Sequence, residues 1–135
     1  MIVEFMPQDW KPSALFKEAL EFGMEWLMLD EEPGLLIIEK QSTEVDQYDA
    51  DSVFDGIDTF DVRIWNEDPA TIFHELVHVM QYANDELEVY EAGHGYWQGK
   101  VVKGMEYEHS PWEVEAYRLE ALMTKSFERH LQNNS

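Results

Sequence analysis

Thr71-Ile72-Phe73-His74-Glu75-Leu76-Val77-His78-Val79-Met80-Gln81 contains His-Glu-x-x-His inside a stretch that reads as a helix. Two histidines four apart fall on one helical face, a turn from each other. Both imidazoles can then reach a single metal ion, and the glutamate between them can reach a water on that ion. At about 100° per residue, Phe73, Leu76, Val77, Met80 and Ala83 share one arc. His74, His78 and Gln81 share another, with Glu75 beside them. The expectation is an apolar side buried in a core and a histidine stripe facing a cleft. The competing reading is two unrelated histidines on a surface helix, because five letters also occur by chance.

A second helix is predicted from Ser110 to about His130. Trp112, Ala116, Leu119, Leu122, Met123 and Phe127 lie on one arc of it. Glu115 projects into that arc and Glu113 to its border. A carboxylate on an inward arc needs a partner, so Glu115 is a candidate for a metal-ligating role. Ser110-x-x-Glu113 also matches a capping box, which is a purely structural role for Glu113.

The two stretches together resemble a known family. His74-Glu75-Leu76-Val77-His78 is similar to the zinc-binding helix of the zincin metallopeptidases, whose gluzincin branch takes a third ligand from a Glu-x-x-Ala or Glu-x-x-Ser pattern on a later helix. Glu113-Val114-Glu115-Ala116 fits that pattern. The stretch Pro111-Trp112-Glu113-Val114-Glu115-Ala116 resembles the Pro-x-Glu-x-Glu-Ala helix of small single-domain metallopeptidases of phage and bacterial type. The resemblance covers mainly residues 60 to 125. It implies His74, His78 and Glu113 as zinc ligands, with Glu113 preferred to Glu115 on the family's spacing. The metzincin branch is excluded, because no glycine and third histidine follow His78 at the required distance.

At 135 residues the chain is expected to form one domain, 1–135, with a core of its own. Its 29 acidic and 9 basic residues leave a net charge of −20. A field of that sign repels nucleic acid phosphates and anionic membranes, and attracts cations and basic partners. With no cysteine there are no disulfides and no thiolate ligands, so a zinc site must use histidine and carboxylate. The first residues lack the basic and apolar regions of a signal peptide. No stretch reaches the roughly 20 apolar residues of a membrane span, so the expected location is cytoplasmic.

The remaining elements complete an expected α+β, zincin-like domain with a small sheet on a scaffold helix. Strands are predicted at 2–6, 35–39 and 61–66, and a scaffold helix at 14–29. Residues 42–61 read as an irregular acidic loop. A calcium loop beginning at Asp51 fails, because Val53 and Val62 stand where ligands are required. Strand 61–66 alternates apolar and polar residues, and by resemblance it is the candidate edge on which an extended substrate pairs. Asp68-Pro69 provides an N-cap and first residue for the histidine helix. Residues 96–102 read as a hairpin or ordered flap.

Three protein ligands leave one coordination position open, which is the arrangement of a catalytic rather than a structural zinc. Zinc lowers the pKa of a bound water to about 7. Glu75 is the expected general base, passing the proton to the leaving amine of a peptide or protein substrate. Tyr107, His109 and His94 are candidates for the second donor that a tetrahedral oxyanion needs. Two alternatives stand beside this reading. One is an acidic binding or inhibitor protein that mimics DNA toward a basic protein partner, motivated by the net charge. The other is a peptidase-like fold without activity.

Overall fold

The computed structural model describes residues 1–41, 50–91, 94–104 and 109–134. They form an α+β arrangement of three helices and two sheets. The first sheet holds β1 (Ile2–Met6), β2 (Leu35–Lys40), β3 (Ala50–Phe54) and β4 (Thr59–Ile64) in the order β1-β2-β4-β3. Strands β1, β2 and β4 run parallel, and β3 is antiparallel to β4. Residues aligned across the strands point to one face: Val3, Leu36 and Phe60 in one row, Phe5, Ile38 and Val62 in the next. Leu36, Ile38, Phe60, Val62 and Ile64 are buried there against the helices, as the period of two demands.

Helix α1 (Ala14–Trp26) starts at Ser13, whose hydroxyl accepts from the Phe16 N–H at 3.1 Å. It ends three residues sooner than the predicted 14–29. Met28 turns into the left-handed region at φ 60°, and the Leu29 N–H closes back on the Met24 carbonyl, a common way of satisfying the last carbonyls of a helix. Helix α2 (Pro69–Ala83) carries both histidines and is capped by Asp68 as expected, through the Ala70 N–H. Helix α3 (Pro111–Asn133) runs one turn beyond its predicted end.

Helix α2 packs on α1, on α3 and on strands β3, β4 and β5. It is therefore buried on every side rather than amphipathic: Ile72, Phe73, Leu76, Val77 and Val79 are fully inaccessible, and both histidines nearly so. Phe73 sits between Phe22 of α1, tilted with centroids 6.1 Å apart, and Phe127 of α3, edge to face at 5.5 Å. Such pairs contribute about 0.5–1.5 kcal/mol each beyond area burial. Gly23 lets α1 approach this closely, since a Cβ there would stand 2.8 Å from Leu76 Cδ1.

The second sheet is an antiparallel meander of β5 (Leu87–Glu91), β6 (His94–Trp97) and β7 (Lys100–Val102). The β6–β7 pair is the hairpin expected at 96–102. Gly95 permits its union with β5, because a Cβ would lie 2.2 Å from the Glu88 carbonyl oxygen.

Two sequence expectations need correction. Residues 50–54 were expected to be part of an irregular acidic loop, yet they form β3. Bidentate pairing of Asp51 with Arg63 of β4 takes up one of its acids. Asp55 then accepts the N–H groups of Ile57, Asp58 and Thr59, closing the turn into β4. These roles also dispose of the calcium loop. Second, β4 is not an edge. It is flanked by β2 and β3, and β3 takes the edge position. Among the described residues β3 pairs with no strand on its other side. The acids at 44, 46 and 49 lie outside the described residues.

Candidate metal centre

Helices α2 and α3 cross so that Glu113 lies over the histidine pair. His74 Nε2 stands 2.9 Å from Glu113 Oε1, and His78 Nε2 stands 3.0 Å from Glu113 Oε2. All three residues are buried, and their donor atoms lie within 4.8 Å of one another. The group can hold a metal ion.

The burial of the two α3 acids reverses the helical-wheel expectation. Glu113, assigned to the border of the apolar arc, is 3% exposed, whereas Glu115 is only half-buried. The carboxylate of Glu113 faces the imidazoles, while the Ser110 side chain makes no capping bond to the helix. Glu115 bonds elsewhere: its Oε1 accepts from Gln81 Nε2 at 3.1 Å.

Gln81 links these parts. It has no accessible surface. Its Nε2 donates to the Trp112 carbonyl at 3.0 Å as well as to Glu115. Its Oε1 must therefore face His78, and it accepts from Nδ1 at 2.8 Å. That bond places the proton of neutral His78 on Nδ1 and leaves Nε2 as the lone-pair atom facing Glu113. His74 is held the other way round: its Nε2 is hydrogen-bonded to Glu113 Oε1 at 2.9 Å, while Nδ1 lies 3.2 Å from Glu120 Oε1, an ion-pair distance without hydrogen-bond alignment. Sequence reasoning missed both supports. Gln81 had been placed on the histidine arc, and Glu120 is two turns along α3 from Glu113, so the periodicity contained a signal for each.

Burial works against charge on His74, but Glu113 and Glu120 on either side outweigh it and hold the imidazole up at about 9. Burial likewise opposes the Glu113 carboxylate, and the two histidines bring it down to about 2. Burial also raises Glu75, with His78, His74 and a hydrogen bond from Ser52 of β3 opposing it in part. The Glu75 side chain is 5% exposed overall, and its Oε1 has no hydrogen-bond partner.

Glu75, His78 and Glu113 line a cleft whose other walls are Asp51 and Ser52 of β3, Tyr82, Leu87 and Val89 of β5, and Trp112. His94 and His109, predicted as possible oxyanion donors, do not line it. Tyr107 lies outside the described residues. Tyr82 was not singled out from sequence, although it follows His78 by four residues. Burial first, then Glu75 and Glu113, push its phenol up to about 12, so the hydroxyl keeps its proton. No helix among the described residues is long and apolar enough to cross a membrane. Compared with protein families, with curated proteins and with solved structures, the chain matches none.

Proposed function

We propose that the chain is a zinc-dependent peptidase of gluzincin type, built on a zincin-like fold, with His74, His78 and Glu113 as ligands and Glu75 as general base. The observation that carries this reading is the convergence of two imidazole Nε2 atoms and one carboxylate beside a cleft that Glu75 also lines. Zinc suits the donors. It favours imidazole and carboxylate in a tetrahedral set, and ligand atoms around it stand roughly 3.3 Å apart given bonds of about 2.0–2.1 Å. The one donor atom that each of the three residues offers lies within 4.8 Å of the other two, a span that a shared ion can draw together. His78 Nε2 is buried with no aligned hydrogen-bond partner, as suits an atom reserved for a metal.

Bound zinc would supply Lewis-acid polarisation of the scissile carbonyl and of the attacking water. Glu75 takes the proton as the water oxygen bonds to the carbonyl carbon, then delivers it to the amine nitrogen as the C–N bond breaks. Burial raises the basicity of its carboxylate toward the working pH. Tyr82 contributes a protonated hydroxyl to the cleft, suited to donate to the oxyanion. An extended substrate is accommodated along the β3 edge rather than on β4.

The test is metal content together with proteolysis. Wild type should carry one zinc per chain and cleave an unfolded protein substrate. Glu75→Gln should keep the zinc and lose turnover by about 10²–10⁴-fold, the usual contribution of a general base. Failure of wild type to take up stoichiometric zinc removes the proposal.

A further inference from the structure

Strand β3 turns one face to α2. Its register sets Ser52 opposite Val62 of β4, and residues directly opposite in an antiparallel pair project to the same side. Val62 is fully buried, so the Ser52 side chain lies on the inner side of the sheet. Phe54, two residues along and on the same face, stacks on Phe60 with centroids 4.4 Å apart and meets Tyr82 of α2 at 5.8 Å. Asp51 and Val53 project the other way, Asp51 to Arg63 and Val53 to solvent. Ser52 and Glu75 line the cleft together beside the candidate metal centre. There the Ser52 hydroxyl donates a hydrogen bond to the Glu75 carboxylate.

The main chain of the same residue faces elsewhere. The Asp55 N–H bonds the Thr59 carbonyl at 3.0 Å. Bonded and non-bonded pairs alternate along an antiparallel ladder, so Val53 and Asp51 direct their main-chain groups to Asp61 and Arg63. Ser52 and Phe54 then turn their N–H and C=O groups outward. Among the described residues no strand pairs with β3 on that side. Glu75 itself is 5% exposed, and its Oε1 has no hydrogen-bond partner. The last torsion of a glutamate is broad and roughly two-fold. A carboxylate without an anchoring bond would therefore sample several planes, and the bond from Ser52 selects one of them.

We infer that Ser52 is a positioning residue: its hydroxyl fixes the plane of the Glu75 carboxylate while its outward main-chain groups pair with an extended substrate, so that one residue sets the general base against the bond to be cut. The role in turnover rests on the peptidase reading; the Ser52–Glu75 bond does not. A hydroxyl suits the task. A cation at this place would hold the carboxylate as an ion pair and favour its charged form, weakening it as a base. A neutral donor orients the group and leaves Oε1 for the proton of the water. No bond to Ser52 forms or breaks, and its hydroxyl keeps its proton throughout.

The test compares Ser52→Ala and Ser52→Thr with wild type, as full-length zinc-loaded protein acting on an unfolded protein substrate. Alanine removes the hydroxyl and keeps the main-chain N–H and C=O. Misplacing a reacting group by about 1 Å costs about 10²-fold, so Ser52→Ala should lower kcat by about 10–100-fold with KM within about threefold of wild type. Its zinc content should be unchanged. Threonine returns the hydroxyl and suits a strand, and should restore kcat to within about threefold of wild type. A second readout needs no turnover. Infrared spectra of protein carrying isotope-labelled glutamate, with the Glu75→Gln spectrum subtracted, isolate the Glu75 carboxyl band. That band should shift in Ser52→Ala and return in Ser52→Thr. An unmoved band, a loss confined to KM, or a threonine variant no better than alanine overturns the inference. If wild type cleaves and Ser52→Ala matches it in both readouts, the peptidase reading stands and the positioning role falls. If wild type cleaves nothing while the band shifts, the bond is upheld, and its role in turnover falls with the peptidase reading.

Discussion

Gln81→Met isolates the support behind the candidate metal centre. Methionine nearly matches glutamine in volume, so little cavity is left behind. What disappears is the set of bonds at 2.8, 3.0 and 3.1 Å to His78 Nδ1, the Trp112 carbonyl and Glu115. His78 and Trp112 are buried, at 5% and 3% exposure. Glu115 is half-buried and can turn to solvent. Leaving two buried polar groups unsatisfied costs about 1–3 kcal/mol each, or roughly 2–6 kcal/mol together. That is a large part of the roughly 5–15 kcal/mol stability of a domain. Losing the Nδ1 partner should also weaken metal binding by about 10–100-fold. Urea denaturation of chelator-treated protein reads the first quantity, and zinc competition against a chromophoric chelator reads the second. Gln81→Glu separates them. It returns an acceptor to His78 but withdraws the donor from Trp112 and sets a carboxylate beside Glu115. Stability should fall while zinc affinity stays near that of wild type. A Gln81→Met protein equal to wild type in both assays would refute this account of the site.

Glu113→Ala should reduce zinc affinity by more than about 100-fold, beyond an outer-contact effect, while Glu115→Ala should cost less than about tenfold; the same chelator competition decides between the two acids. In metal-free protein, the raised His74 contributes stability that is full below its ordinary 6.5 and fades as pH rises through about 9. The lowered Glu113 contributes stability present above its ordinary 4.5 and lost as pH falls through about 2. Their combined contribution is therefore greatest between 4.5 and 6.5. Because a metal must displace the His74 proton, the gap in Tm between zinc-loaded and chelated protein should widen from pH 6.5 toward 9; a gap that narrows over that range contradicts the assigned proton. Gly23→Ala should lower Tm even though alanine is the better helix former by about 1 kcal/mol. Its Cβ would meet Leu76 and Phe73 across the α1–α2 contact, and overpacking of that kind costs about 1–3 kcal/mol.

Local order is what a sequence carries most directly, and the candidate metal centre began there. Four-residue spacing puts His74 and His78 on one face of any α-helix, and Asp68-Pro69 tells where that helix starts, so neither needed the fold. The long α3 and the parallel strands β1 and β2 were legible for the same reason: their patterns repeat over short distances. Which acid meets the histidines was another matter. Glu113 and Glu115 are both on α3, and helical periodicity alone favoured the wrong one for burial. The crossing of α2 and α3 turned Glu113 inward and gave Glu115 to Gln81. Strand β3 was hidden because Asp51 and Asp55 look like loop residues until Arg63 and the turn N–H groups supply their partners. The edge position of β3, the buried circumference of α2 and the cleft beside β5 arise from contacts between residues far apart in the chain. One-dimensional patterns record which groups can sit together on an element. Only the packing of elements determines which of those groups face each other, and with it their burial and charge.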